Sequence, residues 1–423
     1  MSRGFNFRRD FFQSVGSSSV GLGLTLVTTP IMTRLFPADA YGINGMMMTL
    51  ATLVAGFGML GLPLALAREQ HGNEQIRLLH AAVQIAVVLF GLCGIAALAV
   101  QFFPYKLPAG VTAQVLLILP ILVFLHCAQR VADSLINAKG RFPAQAAARI
   151  GNAFTGRGGA LLLGWLVQPL AASMLAGDCI GRFVHVVLTI ELGRLRPDCK
   201  SINWRPHPKF LLKTVSEYRR FALQSNFAAA LPMVSVLVVQ LMLAIRLGAE
   251  AVGYYTLAQS IITLPVTVVA LSSAPVVFHR FVRAADEAPD SLPKLAQKAI
   301  LGYLLLGGLC MMPLILFGQT LFEFAFGKDW IAAGSTAAIL AVPQVLNFGL
   351  TGVLSIFRVN RRINAWMIFE GAGTFVILLG MLLLPRDFDL RSATIMLAGL
   401  RGLYCTLMIS GCLWAAKQKG EWS

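Results

Sequence analysis

Residues 79–103 read LHAAVQIAVVLFGLCGIAALAVQFF and contain no Asp, Glu, Lys or Arg. A helix of about 20 apolar residues, rising 1.5 Å per residue, crosses the roughly 30 Å hydrocarbon core of a bilayer. This stretch therefore predicts a membrane-spanning helix. The nearest basic residues, Arg77 and Lys106, lie just beyond its two ends, where the headgroup regions begin.

The same pattern recurs along all 423 residues, of which 57% are hydrophobic and 13% charged, with a mean hydropathy of +0.72. A soluble globular chain has about 25% charged residues, and an outer-membrane barrel has roughly ten-residue stretches of alternating polarity. Both classes are excluded, as are disordered, collagenous and disulfide-rich chains. We predict an all-α polytopic membrane protein with spans near 12–34, 42–66, 79–103, 111–137, 143–165, 168–192, 219–246, 252–279, 298–318, 331–357, 364–384 and 392–416.

The formal charge of +16 follows the rule that cytoplasmic segments of membrane proteins are rich in Lys and Arg. With both termini in the cytoplasm, the predicted inner segments carry 24 of the 35 basic residues and the outer segments carry six. The excess is explained by topology and by contact with anionic lipid, so we expect no nucleic-acid partner. The seven cysteines have no metal-ligand spacing and are expected to be packing residues.

The two halves of the chain are similar at a shift of 211 residues. Arg8-Arg9 then matches Arg219-Arg220, and the stretch 38–42 (ADAYG) matches 249–253 (AEAVG). Asp39 and Glu250 are expected to accept hydrogen bonds from backbone N–H groups at helix starts. Six spans per half predict two lobes related by an axis along the membrane normal. The expected organisation is a lobe at 1–192, a basic cytoplasmic linker at 193–218 and a lobe at 219–423.

Three stretches carry a family resemblance: 33–42 (TRLFPADAYG), 246–259 (RLGAEAVGYYTLAQ, followed by Leu264-Pro265) and 326–334 (FGKDWIAAG). They resemble turns of the bacterial polysaccharide flippases, which belong to the multidrug/oligosaccharidyl-lipid/polysaccharide transporter superfamily. The resemblance implies a twelve-helix protein that moves polyprenyl-pyrophosphate-linked oligosaccharides from the cytoplasmic to the periplasmic leaflet by alternating access. It implies the inner membrane, no cofactor, a role in lipopolysaccharide or exopolysaccharide synthesis, and polymerase and chain-length proteins as partners.

Five arginines fall inside predicted spans, where each would cost about 2.5 to 3.5 kcal/mol if it faced lipid. Four of them belong to polar stripes on adjacent spans of the first lobe, and the fifth, Arg401, lies in the last span. The stripes are Arg130, Asp133 and Asn137 on the fourth span, Arg149, Asn152 and Gly156 with Arg157 to one side on the fifth, and Asp178, Arg182 and His185 on the sixth.

Four arginines against two aspartates leave a surplus of two positive charges, which suits a diphosphate, and the guanidinium fork fits its oxygens. We therefore predict a substrate-binding set of Arg157, Arg130, Arg182, Arg149, Asn152 and Asn137, and no catalytic or metal-binding residues. Asp133 and Asp178 are candidates for ion coupling or for charge partners. Alternatively, each arginine pairs with a carboxylate, caps a helix or extends to the interface.

The second lobe has fewer intramembrane polar residues. Here Arg401 is expected to pair with Glu370, and Gln344 to bond backbone or Asn347.

Two other functions stay open. A drug or small-metabolite antiporter of the same superfamily would have an acidic cavity. A membrane-embedded polymerase or glycosyltransferase would need a long outer loop or a soluble domain. Because the first lobe is basic and the loops are short, we favour a transporter over an enzyme.

Overall fold

The computed structural model describes residues 23–69, 72–102, 111–200, 202, 204–360, 362–385 and 387–418. Regular structure in these ranges is helical, with no strand. Arg8 and Arg9, which begin the predicted repeat, lie outside the described residues. Contacts divide the chain into two compact units, Met1–Ala230 and Leu231–Ser423, and the division falls within a helix.

In the first unit, one helix contacts most of the others. The helices are α1 (23–35), α2 (Ala38–Gly58), α3 (Leu62–Arg68), α4 (Gly72–Phe102), α5 (Ala113–Leu116), α6 (Leu119–Ala138), α7 (Phe142–Leu166), α8 (Ala171–Leu192) and α9 (Arg196–Lys200). Helix α6 packs against α2, α3, α4 and α8, while α7 packs mainly on α8. Leu122, Val123 and Cys127 of α6 are fully buried at these contacts.

The second predicted span is not one continuous helix. It breaks between α2 and α3, where Leu60 and Gly61 adopt φ values of 48° and 71° and Pro63 opens the next helix. Glycine tolerates a left-handed backbone, and proline is favoured in the first helical turn because it lacks an N–H. A hydropathy pattern over 42–66 does not reveal this break, since every residue around it except glycine is apolar.

The second unit has long helices that continue beyond the predicted spans. They are α10 (Pro208–Leu247, shared between the units), α11 (Ala249–Glu287), α12 (Leu292–Phe326), α13 (Ile331–Leu350), α14 (Ile356–Val359), α15 (Ile363–Leu382) and α16 (Leu390–Lys417). Helix α13 packs against α11, α12 and α16. A buried cluster including Phe281, Phe357 and Met408 joins α11, α14 and α16.

One pair of helix starts agrees with the predicted repeat. Helices α2 and α11 begin at Ala38 and Ala249, 211 residues apart. The Asp39 carboxylate accepts from the backbone N–H of Ala40 at 2.7 Å, as expected at a helix start. The expectation for Glu250 was wrong, because its carboxylate accepts from the Tyr254 hydroxyl one turn along α11.

Nine helices within the described ranges are long and apolar enough to cross a bilayer, and each of the twelve predicted spans overlaps a helix. The chain is therefore an all-α, multi-pass membrane protein. Helix α7 is not among the nine, although it has 25 residues. Its arginines, Arg149 and Arg157, and its many small residues lower its hydropathy. A helix of this composition needs protein or water beside it rather than lipid.

Candidate functional site

Helices α7 and α8 approach each other so closely that their backbones touch. A Cβ atom added at Gly156 would lie 3.5 Å from the Cα of Gly181, and one added at Gly177 would lie 2.4 Å from the backbone N of Ala160. Small residues four apart on both helices make this crossing, as in other membrane helix pairs. Gly156 and Gly177 directly precede Arg157 and Asp178, so the crossing brings the two charged residues to neighbouring positions.

Asp178 is the centre of a charged cluster in the first unit. Arg157 of α7 and Arg182 of α8 are the cations that act on its carboxylate, and the Asn44 side chain of α2 hydrogen-bonds to it. Tyr41, one turn before Asn44, faces both Arg157 and Asp178. Three helices therefore contribute to what we call the Asp178 cluster: Tyr41, Asn44, Arg157, Asp178 and Arg182.

Arg182 is tied to α6 but keeps unused donor capacity. Its Nη1 donates to Oε1 of Gln129 at 2.6 Å, and its Nη2 lies 4.0 Å from the sulfur of Met48. Its Nε is buried and has no hydrogen-bond partner in the described part of the chain, and the same holds for Oδ1 of Asn44. Buried polar atoms are nearly always hydrogen-bonded in native proteins, so these two atoms mark a place for a water or a ligand.

Asp133 is satisfied by partners from other helices. Its Oδ1 lies 3.1 Å from Nε2 of Gln145 and 3.0 Å from Nε2 of the fully buried His185. Arg130, three residues before Asp133, does not pair with it. Among the described residues, neither Arg130 nor Arg157 makes a hydrogen bond. The alternative that Arg130 is neutralised by its aspartate neighbour is therefore wrong.

The remaining predicted residues lie apart from this cluster. Oδ1 of Asn152 lies 2.6 Å from where a Cβ of Gly181 would be, so this side chain packs at the α7–α8 crossing. Arg149 is half-buried towards the start of α7 and has a partner of its own. Asn137 is exposed near the end of α6. The structure thus brings together Arg157, Arg182 and Asp178, and it does not bring Asn137 or Arg149 to them.

Sequence reasoning missed the contributions of Tyr41, Asn44 and Gln129. A signal was present, because Tyr41 and Asn44 are three residues apart and share a face of α2. A polar pair does not stand out on a helix with little charge, and α2 has no charged residue beyond Asp39 in its first turn.

In the second unit the charged side chains bond different partners from those predicted. Nη1 of Arg401 donates to Oε1 of Gln259 at 2.5 Å and Nη2 donates to the Tyr255 hydroxyl at 2.7 Å. The buried Glu370 accepts from the Tyr404 hydroxyl at 2.8 Å. The expected Arg401–Glu370 pair was wrong. The Arg401 guanidinium is bound by the amide oxygen of Gln259 and the hydroxyl of Tyr255, both on α11. The Glu370 carboxylate instead accepts a hydrogen bond from Tyr404 on α16.

Gln344 bonds backbone, as expected, since its Nε2 donates to the carbonyl of Ile262 at 3.4 Å. Within the residues that the structure describes, no three His, Cys, Asp or Glu side chains are placed to hold a metal ion.

Solved structures of transporters share this fold. The lipid II flippase MurJ in an inward closed conformation matches with a TM-score of 0.70 at 14% identity, over 95% of this chain and 87% of that one. An inward-facing multidrug resistance MATE transporter of the MOP superfamily matches with 0.66 at 15% identity, over 95% and 97%. A MOP superfamily transporter from Pyrococcus furiosus, described as having a binding pocket of reverse polarity, matches with 0.60 at 14% identity, over 96% and 94%.

At these identities the structures establish the fold alone, which is that of a polytopic transporter. A sequence comparison with curated proteins found no match. The model of the polysaccharide biosynthesis protein family matches residues 31–335. Because that is well over half of the chain, the chain belongs to this family, as the three sequence motifs indicated.

Proposed function

We propose that this protein is a flippase that moves polyprenyl-pyrophosphate-linked oligosaccharide repeat units from the cytoplasmic to the periplasmic leaflet, for surface polysaccharide synthesis. The family membership and the transporter fold support transport. The observation that carries the substrate class is the surplus of guanidinium groups around Asp178. Arg157 lacks a hydrogen bond within the described residues, and Nε of Arg182 is buried without a partner.

A diphosphate suits these groups for two reasons. It is an anion, Arg157 and Arg182 leave one positive charge in excess of Asp178, and guanidinium groups bind phosphate oxygens with paired hydrogen bonds. Charge-assisted hydrogen bonds of this kind are stronger away from bulk water. The glycine crossing fixes the backbone positions of these donors on α7 and α8, so binding would cost little conformational freedom.

The transport step follows from the chemistry of the substrate. A glycan is too polar to cross hydrocarbon, whereas a polyprenyl chain is apolar and dissolves in it. The protein then needs to supply only a hydrated, cationic path for the headgroup, exposed to each side in turn. This step makes and breaks no covalent bond, so no catalytic residue is required. We place the protein in the bacterial inner membrane with both termini in the cytoplasm, working beside a polymerase and chain-length proteins.

Deletion of the gene followed by analysis of lipid extracts tests this proposal. Complete lipid-linked repeat units should accumulate in the cytoplasmic leaflet, where a membrane-impermeant glycosidase added to intact spheroplasts does not cleave them. Units that accumulate in a glycosidase-sensitive, outward-facing form would indicate a polymerase instead. A normal pool of repeat units together with increased drug sensitivity would indicate the multidrug antiporter.

A further inference from the structure

The second unit contains an apolar groove between α12, α13 and α16. Its volume is about 530 Å³, within the range of small-molecule sites, and no charged side chain lines it. Ile315 of α12, Val342 and Leu346 of α13, and Ile395 and Gly399 of α16 form its walls. Small residues on α16 leave the space open, since a Cβ at Gly399 would have no atom within 4 Å.

The groove continues into a polar mouth of about 390 Å³, which shares Ile315, Ala338 and Ile339 with it. The mouth adds Gln319 and Thr320 of α12, Ser335 of α13 and Arg391 of α16. Arg391 stands at the start of α16, and Gly402 lies about 16 Å further along the helix at 1.5 Å per residue. This is about half of the hydrocarbon thickness. The groove therefore runs from one membrane surface, the predicted periplasmic one, towards the middle of the bilayer.

A bend in α12 accompanies the groove. Pro313 lies inside this helix, and Phe317 has non-helical dihedrals of φ −125° and ψ 20°. A proline in a helix interior removes one hydrogen bond and clashes with the preceding turn, which bends the helix. The bend falls at the level of Ile315 and Gln319, where the apolar part of the groove meets its mouth.

Arg391 lines the mouth, and its charge also acts on the neighbouring Asp389 carboxylate. It is exposed and lies in the first turn of α16, where the helix dipole disfavours a cation. The nearby Asp389 carboxylate is already engaged as the helix cap, accepting from the backbone N–H of Ser392 at 2.9 Å. The mouth thus offers a guanidinium, an amide and hydroxyl groups to an anion, above a groove that offers only hydrocarbon.

We propose that this groove binds the polyprenyl chain of the lipid carrier, with the carrier phosphate on Arg391 in a state in which that phosphate does not occupy the Asp178 cluster. The inference rests on the proposed function, which it extends by adding a chain-binding site within the second unit. A polyprenyl phosphate has one long chain and an anionic end, which matches one apolar groove with one cationic mouth. A phospholipid has two chains and would leave one outside.

Photocrosslinking of the full-length protein in detergent micelles tests this site. The probe is a polyprenyl monophosphate with a diazirine within the first few isoprene units from the phosphate, the length that a groove of about 16 Å can hold, and mass spectrometry locates the labelled peptide. We expect labelling near 395–402 of α16, reduced at least fivefold by Gly399→Leu, which fills the groove. Gly308→Leu on α12 is the matched control, since its Cβ also meets no atom within 4 Å. The Gly308→Leu variant should be labelled as strongly as the unaltered protein, and both variants should unfold at similar temperatures.

Competition identifies the occupant. Unlabelled polyprenyl phosphate should displace the probe, phosphatidylglycerol should not, and Arg391→Ala should weaken displacement about tenfold while Arg391→Lys retains most of it. Labelling outside α12, α13 and α16, or undiminished labelling of Gly399→Leu, would overturn the site. Equal competition by phosphatidylglycerol would overturn the carrier as occupant. The probe has no sugar, so the result does not depend on whether the protein flips glycans, which the lipid extracts test separately.

Discussion

Arg157 is the side chain whose removal should harm transport most. It lies beside Asp178 without a hydrogen bond in the described part of the chain, so under the proposed function its guanidinium would bind the diphosphate. We expect Arg157→Ala to lower export of finished polysaccharide at least tenfold at matched protein levels, and Arg157→Lys to recover part of it, because a point charge remains but the fork is lost. Export is measured in cells that lack the native gene.

Arg283→Ala is the matched control for that substitution. Arg283 forms an exposed ion pair with Glu287 on α11, and pairs of this kind contribute about 0 to 1 kcal/mol to stability. This variant should export normally. Full export by both Arg157 variants would remove Arg157 from the substrate path.

Arg401 should be energetically coupled to Gln259 and not to Glu370. Its guanidinium bonds Gln259 at 2.5 Å, whereas Glu370 is bonded by Tyr404. In double-mutant cycles on the free energy of unfolding, Arg401→Met with Gln259→Leu should show a coupling of about 1 kcal/mol or more. Arg401→Met with Glu370→Gln should be additive within about 0.5 kcal/mol. A larger coupling energy for Arg401 with Glu370 than for Arg401 with Gln259 would support the Arg401–Glu370 pair predicted from sequence.

The sequence identified charged residues that lie within long helices, but not which partners they have. The reason is that spacing on one helix places Arg130 beside Asp133, while the partners of Asp133 come from Gln145 on α7 and His185 on α8. Spacing along one helix does not show which neighbouring helix supplies the partner, even when that helix carries charged residues. Where it comes from an apolar helix, as Asn44 does, only the packing of the helices reveals it.

At the scale of helices, the α7–α8 crossing should be intolerant of even one methyl group at Gly177. A Cβ there would lie 2.4 Å from a backbone nitrogen, so the helices must separate. We expect Gly177→Ala to lower the free energy of unfolding by about 1 to 3 kcal/mol and to reduce export, because Arg157 moves away from Asp178. Thermal unfolding in detergent and export in cells measure the two effects.

Gly158→Ala on α7 provides the comparison. Its Cβ would meet no atom within 4 Å, and alanine is favoured over glycine in a helix by up to about 1 kcal/mol. This variant should be as stable as the unaltered protein or slightly more so. Equal losses of stability and export in Gly177→Ala and Gly158→Ala would mean that close packing at the α7–α8 crossing is not what limits substitution at Gly177.

The start of α16 should respond to pH through Asp389. Hydrogen bonds from the side chain and then the backbone of Ser392 hold the pKa of Asp389 below its ordinary value of 3.8. A lowered pKa in the folded protein means that the stabilisation is present above that ordinary value and is lost as pH falls through the lowered pKa. Hydrogen-exchange protection of the first turn of α16 should therefore fall in acid.

Asp389→Asn separates this effect from general acid damage. Asparagine caps helices about as well as aspartate and does not titrate, so the first-turn protection of this variant should stay flat over the same pH range. Asp389→Ala should lose protection at every pH. A parallel acid response in the unaltered protein and in the Asp389→Asn variant would assign the change to another group.

At the scale of the molecule, the fold class was accessible from sequence because its features recur along the chain. Apolar runs mark the spans, basic loops mark one side, and the starts of α2 and α11 are 211 residues apart, as the alignment of the two halves required. The break at Gly61 and the lengths of α10 and α11 were not accessible. At 1.5 Å per residue, helices of 40 and 39 residues are about twice as long as the hydrocarbon core is thick, and hydropathy marks only their apolar part.

The distribution of basic residues makes a prediction for the whole chain: twelve spans with both termini in the cytoplasm. Green fluorescent protein fused after residue 418 should fluoresce, whereas alkaline phosphatase at that point should be inactive. Phosphatase inserted after Gly248 or Gly327, which form the turns between α10 and α11 and before α13, should be active. Both glycines have positive φ, so insertion follows the glycine and keeps its left-handed turn. An active phosphatase at residue 418 would require an odd number of spans or an outside N-terminus. An outside N-terminus would place all 24 basic residues of the inner segments on the wrong side of the membrane, and an odd number of spans would misplace those that follow the miscounted span; the topology would then need a cause other than loop charge.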